Sequence, residues 1–106
     1  IVWLMGIPLS ETLASAELLG LKTALNEFVA YGALANIEPG VLSERSKLIT
    51  LYALCGFANF SSVGILVSGI SAMAPERKND LIKVSLKALV GATLASCMTG
   101  LVIGIF

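Results

Sequence analysis

The chain has no histidine, two cysteines, and only 13% charged residues among its 106. Each shortage closes off a kind of chemistry. Without histidine, the most frequent general base and metal ligand is gone. Cys55 and Cys97 lie in separate apolar runs with no ligand cluster around either, so they read as buried, inert thiols rather than as a disulfide or a zinc site. Seven basic residues balance seven acidic ones. No basic patch forms, and nucleic-acid binding lacks electrostatic support. Nucleophile elbows, phosphate loops and zinc patterns are also missing, and a lone carboxylate without a partner does not make a catalytic site. The sequence therefore speaks against an enzyme.

The shortage of charge also carries a positive message. Soluble domains hold about 25% charged residues; this chain holds half that and is 57% hydrophobic. The uncharged run from Leu48 to Pro75 is long enough for a bilayer crossing, which takes about 20 residues, and Ala88–Phe106 just reaches that length. The expected fold class is an all-α membrane protein. The chain opens at Ile1 and closes inside an apolar run, which reads as the C-terminal part of a longer protein.

Local signals divide the chain. Residues 1–8 read as the end of a preceding helix, stopped by Gly6 and Pro8. Ser10 offers an N-cap, with Glu11 in the first turn, for a short helix to Ala24. A break at Asn26 leads to a second short apolar helix, Glu27–Ala35. Two short helices meeting at a polar tip describe a re-entrant helical hairpin over residues 10–37. Residues 36–47 form a polar connection with Pro39-Gly40 as its turn and Ser43 as the next cap. Residues 41–74 read as a broken transmembrane helix, interrupted at Gly56 and the Asn59/Ser61/Ser62 group. Residues 79–106 read as a last transmembrane helix, capped by Asn79 or Asp80, with Lys83 and Lys87 snorkelling to the interface. Along it Ala88, Ala92, Ser96, Gly100 and Gly104 repeat every four residues, a spacing that lets membrane helices approach closely; it reads as generic packing or as a transport-bundle contact. Positive charge near Arg77, Lys78 and Lys83 slightly exceeds that at Arg45 and Lys47, placing the Pro75–Asp80 loop in the cytoplasm and the C-terminus outside.

Glu27 stands out against this background. A charged residue at the centre of a membrane helix costs roughly 2.5–3.5 kcal/mol on insertion scales, so such acids mark ligand or ion pathways. Its carboxylate can accept two hydrogen bonds from a vicinal diol, and charge-assisted bonds are the strong ones. The structural alternative is that Asn26 caps the second half-helix and Glu27 answers its dipole. Asn59 and Ser62 offer amide and hydroxyl groups either to a ligand or to neighbouring helices. Phe57 and Phe60 flank Asn59, as a stacking face for a ring or as packing against lipid. Lys22, close to the hairpin tip, reads as part of a solvated face or as a functional group at the tip, and Glu11 as interfacial.

Two stretches carry a family resemblance. Gly20-Leu21-Lys22-Thr23-Ala24-Leu25-Asn26-Glu27-Phe28-Val29-Ala30-Tyr31 and Ala53-Leu54-Cys55-Gly56-Phe57-Ala58-Asn59-Phe60-Ser61-Ser62-Val63-Gly64-Ile65 resemble two signatures of concentrative nucleoside transporters, and Ala74-Pro75-Glu76-Arg77-Lys78 resembles the link between that family's last two helices. The resemblance implies half of an inverted-repeat transporter in the cytoplasmic membrane, homotrimeric at full length, that moves nucleosides by cation-coupled alternating access. It implies that Glu27, Asn59 and Ser62 contact the ribose and that Phe57 lies close to the nucleoside. No cofactor is implied beyond a coupling ion, Na+ or H+, bound mainly by the preceding part, which also reads the base. Membrane lipid and the nucleoside are the implied partners. The competing reading is a structural or assembly subunit of a membrane complex, in which the same polar residues only join helices.

Overall fold

The computed structural model describes all 106 residues, and they form helices and turns with no strand. Five helices follow a single 310 turn at Val2–Met5: α1 (Leu9–Ala24), α2 (Glu27–Ala35), α3 (Glu44–Leu54), α4 (Phe60–Met73) and α5 (Lys78–Ile105). A second 310 turn, Pro75–Arg77, leads into α5.

Local chemistry accounts for most boundaries. Asn26 adopts extended geometry and its side chain accepts from Val29 N at 3.0 Å, which caps α2. Ser43 does the same for α3 through Ser46 N. Asn59 caps α4, accepting from Ser62 N at 2.7 Å. Two expected caps fail. The extended backbone of Pro8 already provides the entry to α1, so Ser10 lies inside the helix. Neither Asn79 nor Asp80 caps α5, because the chain enters it directly from the 310 turn; Asp80 instead takes a bond from Arg77 Nε at 3.1 Å.

The helices α1 and α2 fold back on each other, with Ala14, Leu18 and Leu21 facing Ala33 and Ile37 across a shallow cleft. The uncharged run is two helices and not one, separated at Cys55–Asn59. Only α5, with the turn before it, is long and apolar enough to cross a membrane. The C-terminal part of its small-residue stripe, Ser96, Gly100 and Gly104, packs inside the chain, whereas Ala88 and Ala92 stay exposed. A Cβ at Gly100 would lie 2.9 Å from Ile49 O and 3.0 Å from Ala53 Cβ, so α3 and α5 touch backbone to backbone there. Gly56 abuts Ser96 so closely that any Cβ would collide with its hydroxyl.

The apolar core is small and joins the ends of the chain to its middle: Val2, Met5, Ile7, Ile49, Ala53 and Cys97. Arg45 binds this junction, donating to Gly6 O at 2.8 Å and to Gly104 O in the last turn of α5. A guanidinium there satisfies carbonyls that the helix end leaves open. Eight of the 21 buried residues are polar or charged, so a polar seam, not an oil-like core, holds the hairpin to the bundle. Within it Thr50 Oγ1 donates to Ser46 O at 2.7 Å, which commits its proton and makes Ser15 the donor of the 2.7 Å bond between Ser15 and Thr50.

Candidate ligand-binding site

The tip of the α1–α2 hairpin meets the break between α3 and α4. Both connections lack regular hydrogen bonding, and each half-helix that follows starts at an asparagine. The side chain of Asn59 cannot take either orientation freely: Oδ1 must face Ser62 N to cap α4, and it also accepts from Ser62 Oγ at 2.8 Å. That turns Nδ2 outward, where it donates to Glu27 Oε2 at 2.7 Å. Glu27 is the first residue of α2 and Asn59 the cap of α4. Two helix N-termini, each with about half a positive charge, therefore converge on one carboxylate.

The structure thus brings Glu27, Asn59 and Ser62 together as one hydrogen-bonded row. Asn59 is fully buried and Ser62 nearly so, whereas Glu27 is half-buried. The second carboxylate oxygen, Oε1, takes no hydrogen bond from the chain and retains its acceptor capacity. Phe57 is 68% exposed and lines a cleft of about 190 Å³ together with Asn59, Ser62, Leu66, Leu89 and Ala92. Ligand pockets usually hold about 300–1,000 Å³. This cleft is too small for one and has the character of one wall. No cluster of acidic, cysteine or histidine side chains could hold a metal ion.

Two expectations need correction, and two contacts complete the picture. Lys22 does not lie on a solvated face; it is 0% exposed, with Nζ donating to Ala53 O at 3.4 Å. It shares one helical face with Ser15 and Leu18, and all three are buried. Cys55 is exposed rather than buried, because it caps the end of α3 where the chain turns out of the helix; Cys97 is buried as expected. Tyr31 Oη donates to Cys55 Sγ at 3.0 Å and adds a second link between α2 and the break. Glu11, expected at an interface, ties α1 to the start of α3 by accepting from Ser43 N and Oγ at 3.1 and 3.0 Å.

The family described as Na+ dependent nucleoside transporter C-terminus matches residues 1–104. The chain belongs to this nucleoside transporter family. Among its relatives, the nucleoside permease NupC of Helicobacter pylori is 39% identical over 110 residues, a match covering 100% of the chain and 26% of that permease. The sodium/nucleoside cotransporter 1 of Mus musculus is 39% identical over 119 residues, covering 99% of the chain and 18% of that protein. This nucleoside transporter segment thus spans about a quarter or less of the length of the curated relatives it matches. It superposes on CNTnw in an inward-facing substrate-bound state with a TM-score of 0.87 at 39% identity, covering 97% of the chain and 26% of CNTnw. A CNTnw variant in an outward-facing state gives a TM-score of 0.86 at 38% identity, covering 97% and 25%.

Proposed function

We propose that this segment supplies the ribose-binding side of a cation-coupled nucleoside symporter in the cytoplasmic membrane, homotrimeric at full length. In this reading α1–α2 (residues 10–37) is a re-entrant hairpin, α3–α4 (residues 41–74) a broken transmembrane helix, and α5 (residues 79–106) the last crossing. Irregular backbone at membrane depth survives where it is buried in protein or lines a watery cavity, and transporters bind solutes at such half-helix ends. The coupling ion, Na+ or H+, binds mainly to the preceding part of the protein. The membrane assignment rests on the apolar length of α5 and on the transporter family.

The observation that carries the ribose reading is the free Oε1 of Glu27, beside an Oε2 already held by Asn59 at 2.7 Å. A carboxylate anchored by one oxygen presents the other, with its lone pairs, to the two hydroxyls of a cis-diol. Ser62, its proton committed to Asn59, is left as an acceptor. Phe57, exposed beside them, offers an apolar face to the sugar or base. The near-equal likeness to inward- and outward-facing relatives supports alternating access in which this unit moves while keeping its internal shape. Names such as permease and cotransporter among the relatives speak against a solute-free assembly subunit and against an enzyme.

The test is uridine uptake and calorimetric binding by the full-length protein. Glu27→Gln removes charge-assisted bonds of about 1.5–3 kcal/mol, a loss of roughly ten- to a hundredfold, with expression retained. Ser62→Ala costs less, about 0.5–1.5 kcal/mol. Uridine should bind more tightly than its 2′- and 3′-deoxy forms. Near-normal uptake by Glu27→Gln, or equal binding of the deoxynucleosides, rejects the role.

A further inference from the structure

Lys22 has no part in the ribose reading, yet its side chain is the largest that the chain buries completely. Burying an ammonium costs several kcal/mol unless something compensates it. No carboxylate does so by contact: the ion pairs of the chain are Lys47–Glu44 and Arg77–Asp80. What Nζ meets is Ala53 O, at 3.4 Å. Ala53 is the penultimate residue of α3, and in a continuous helix its carbonyl would accept from Phe57 N–H. The break removes that donor. Lys22 stands at the negative end of α3, where a cation is favoured and where carbonyls are left open. The segment that turns away from α3 encloses it: a Cβ at Gly56 would lie 3.5 Å from Nζ.

The arrangement is complementary to the one across the break. The hairpin tip puts its anion, Glu27, on the positive end of α4 through Asn59 and its cation, Lys22, on the negative end of α3. Both half-helices receive the charge that their dipoles favour, and both charges come from the two sides of one short connection, Leu25–Asn26. Fixing one contact fixes the other, because four residues, Cys55–Ala58, join Leu54 to Asn59.

We propose that Lys22 is a positioning residue: a tethered cation that fills the open end of α3, holds the α3–α4 break in shape, and thereby sets Asn59 against Glu27. It occupies the kind of site, an unwound helix end rich in carbonyls, at which a dissociable cation would otherwise bind. The proposal rests on the ribose reading above, since its readout is recognition of the sugar hydroxyls.

The experiment compares binding of uridine and 3′-deoxyuridine to the full-length transporter and to its Lys22→Gln, Lys22→Ala and Glu27→Gln variants. Lys22→Gln keeps a hydrogen-bond donor but loses the charge; it should reduce the preference for uridine over 3′-deoxyuridine by about tenfold. A residue that only fills space would change melting temperature and leave that preference intact. Lys22→Ala should recover the preference when n-propylammonium, the deleted part of the side chain, is supplied, and should not recover it with n-propanol. Should Lys22→Gln fail to accumulate, the Lys22→Ala rescue decides alone. An unchanged preference in Lys22→Gln, no rescue by n-propylammonium, or equal rescue by n-propanol overturns the proposal. Glu27→Gln separates the two failures. If it loses the preference while Lys22→Gln retains it, only the role of Lys22 falls; if both retain it, the ribose reading falls.

Discussion

At the residue scale, Asn59 performs two tasks with one amide group. Its oxygen caps α4 and its nitrogen holds Glu27, and substitutions can separate them. Asn59→Ser keeps an N-cap but removes the donor to Glu27; α4 should stay capped, stability should fall by no more than the one lost hydrogen bond, about 1.5–3 kcal/mol, and uridine affinity should fall. Asn59→Asp also keeps the cap but sets a second acid against Glu27, so affinity should fall further still. Thermal unfolding alongside calorimetry reads both, and a serine variant with full affinity would reduce Asn59 to a cap. Glu11 is a simpler case, at the outer end of α1. The Ser46 hydroxyl, then the Ser43 backbone N–H, hold its carboxyl below the ordinary value of 4.5. A depressed carboxyl stabilises the fold fully above its unfolded value and loses that contribution as pH falls through the folded one. The melting-temperature difference between wild type and Glu11→Gln should therefore be flat above pH 4.5 and shrink below it. The difference will be small, because this acid is solvated and its interactions are screened.

At the element scale, the contact between α3 and α5 depends on the absence of side chains. Gly100→Ala pushes a methyl group to within 2.9 Å of Ile49 O, a main-chain atom that cannot swing aside. The expected cost is about 1–3 kcal/mol, as for other overpacked sites. Gly91, half a turn away around the same helix, has nothing within 4 Å, and Gly91→Ala should instead stabilise by about 0.5–1 kcal/mol. Melting temperatures of the two variants should therefore move in opposite directions. The sequence displayed this element well, for a physical reason: a stripe of small residues every fourth position is a property of one helix. The α2 boundaries and the Asn26 and Ser43 caps were legible for the same reason, since each depends on bonds within three residues. Glu27, Asn59 and Ser62 were legible as polar groups in apolar surroundings. That Asn59 has both ends of its amide engaged was not, because its partner Glu27 lies 32 residues away. Lys22 was misread on similar grounds. Its neighbours in sequence do not reveal that α3 ends against it, and only a buried helix terminus 31 residues away gives a lysine a reason to be inside. Ser10 failed as a cap because Pro8 had already started the helix, a competition between two adequate local signals.

At the scale of the whole molecule, the segment is elongated, 51 × 25 × 18 Å, with a radius of gyration of 15.4 Å. A compact domain of this length would have about 13 Å. Large apolar side chains remain uncovered on every helix, among them Leu13, Phe28 at 84% exposure, Leu51, Met73 at 80% and Val90. Patches of that extent mark surfaces meant for a partner or for lipid. One uncovered surface adjoins the cleft at Asn59 and Ser62, whose 190 Å³ is too small to enclose a nucleoside. A site with one wall fails for a definable reason: on the ribose reading Glu27 would hold the diol, but nothing opposite excludes water or grips the base. The segment expressed alone in cells that lack nucleoside uptake should therefore give no uridine accumulation. Co-expressed as a separate chain with the preceding part of the transporter, it should restore measurable uptake, because the hairpin, the break and α5 already hold one another through Arg45, Lys22 and the Ser15–Thr50 bond. Carrying Glu27→Gln on the small chain should abolish that restored uptake, which assigns the effect to the site and not to a chaperoning role. Uptake by the segment alone would mean that the uncovered faces meet copies of the same chain, and the one-wall account of the site would fail.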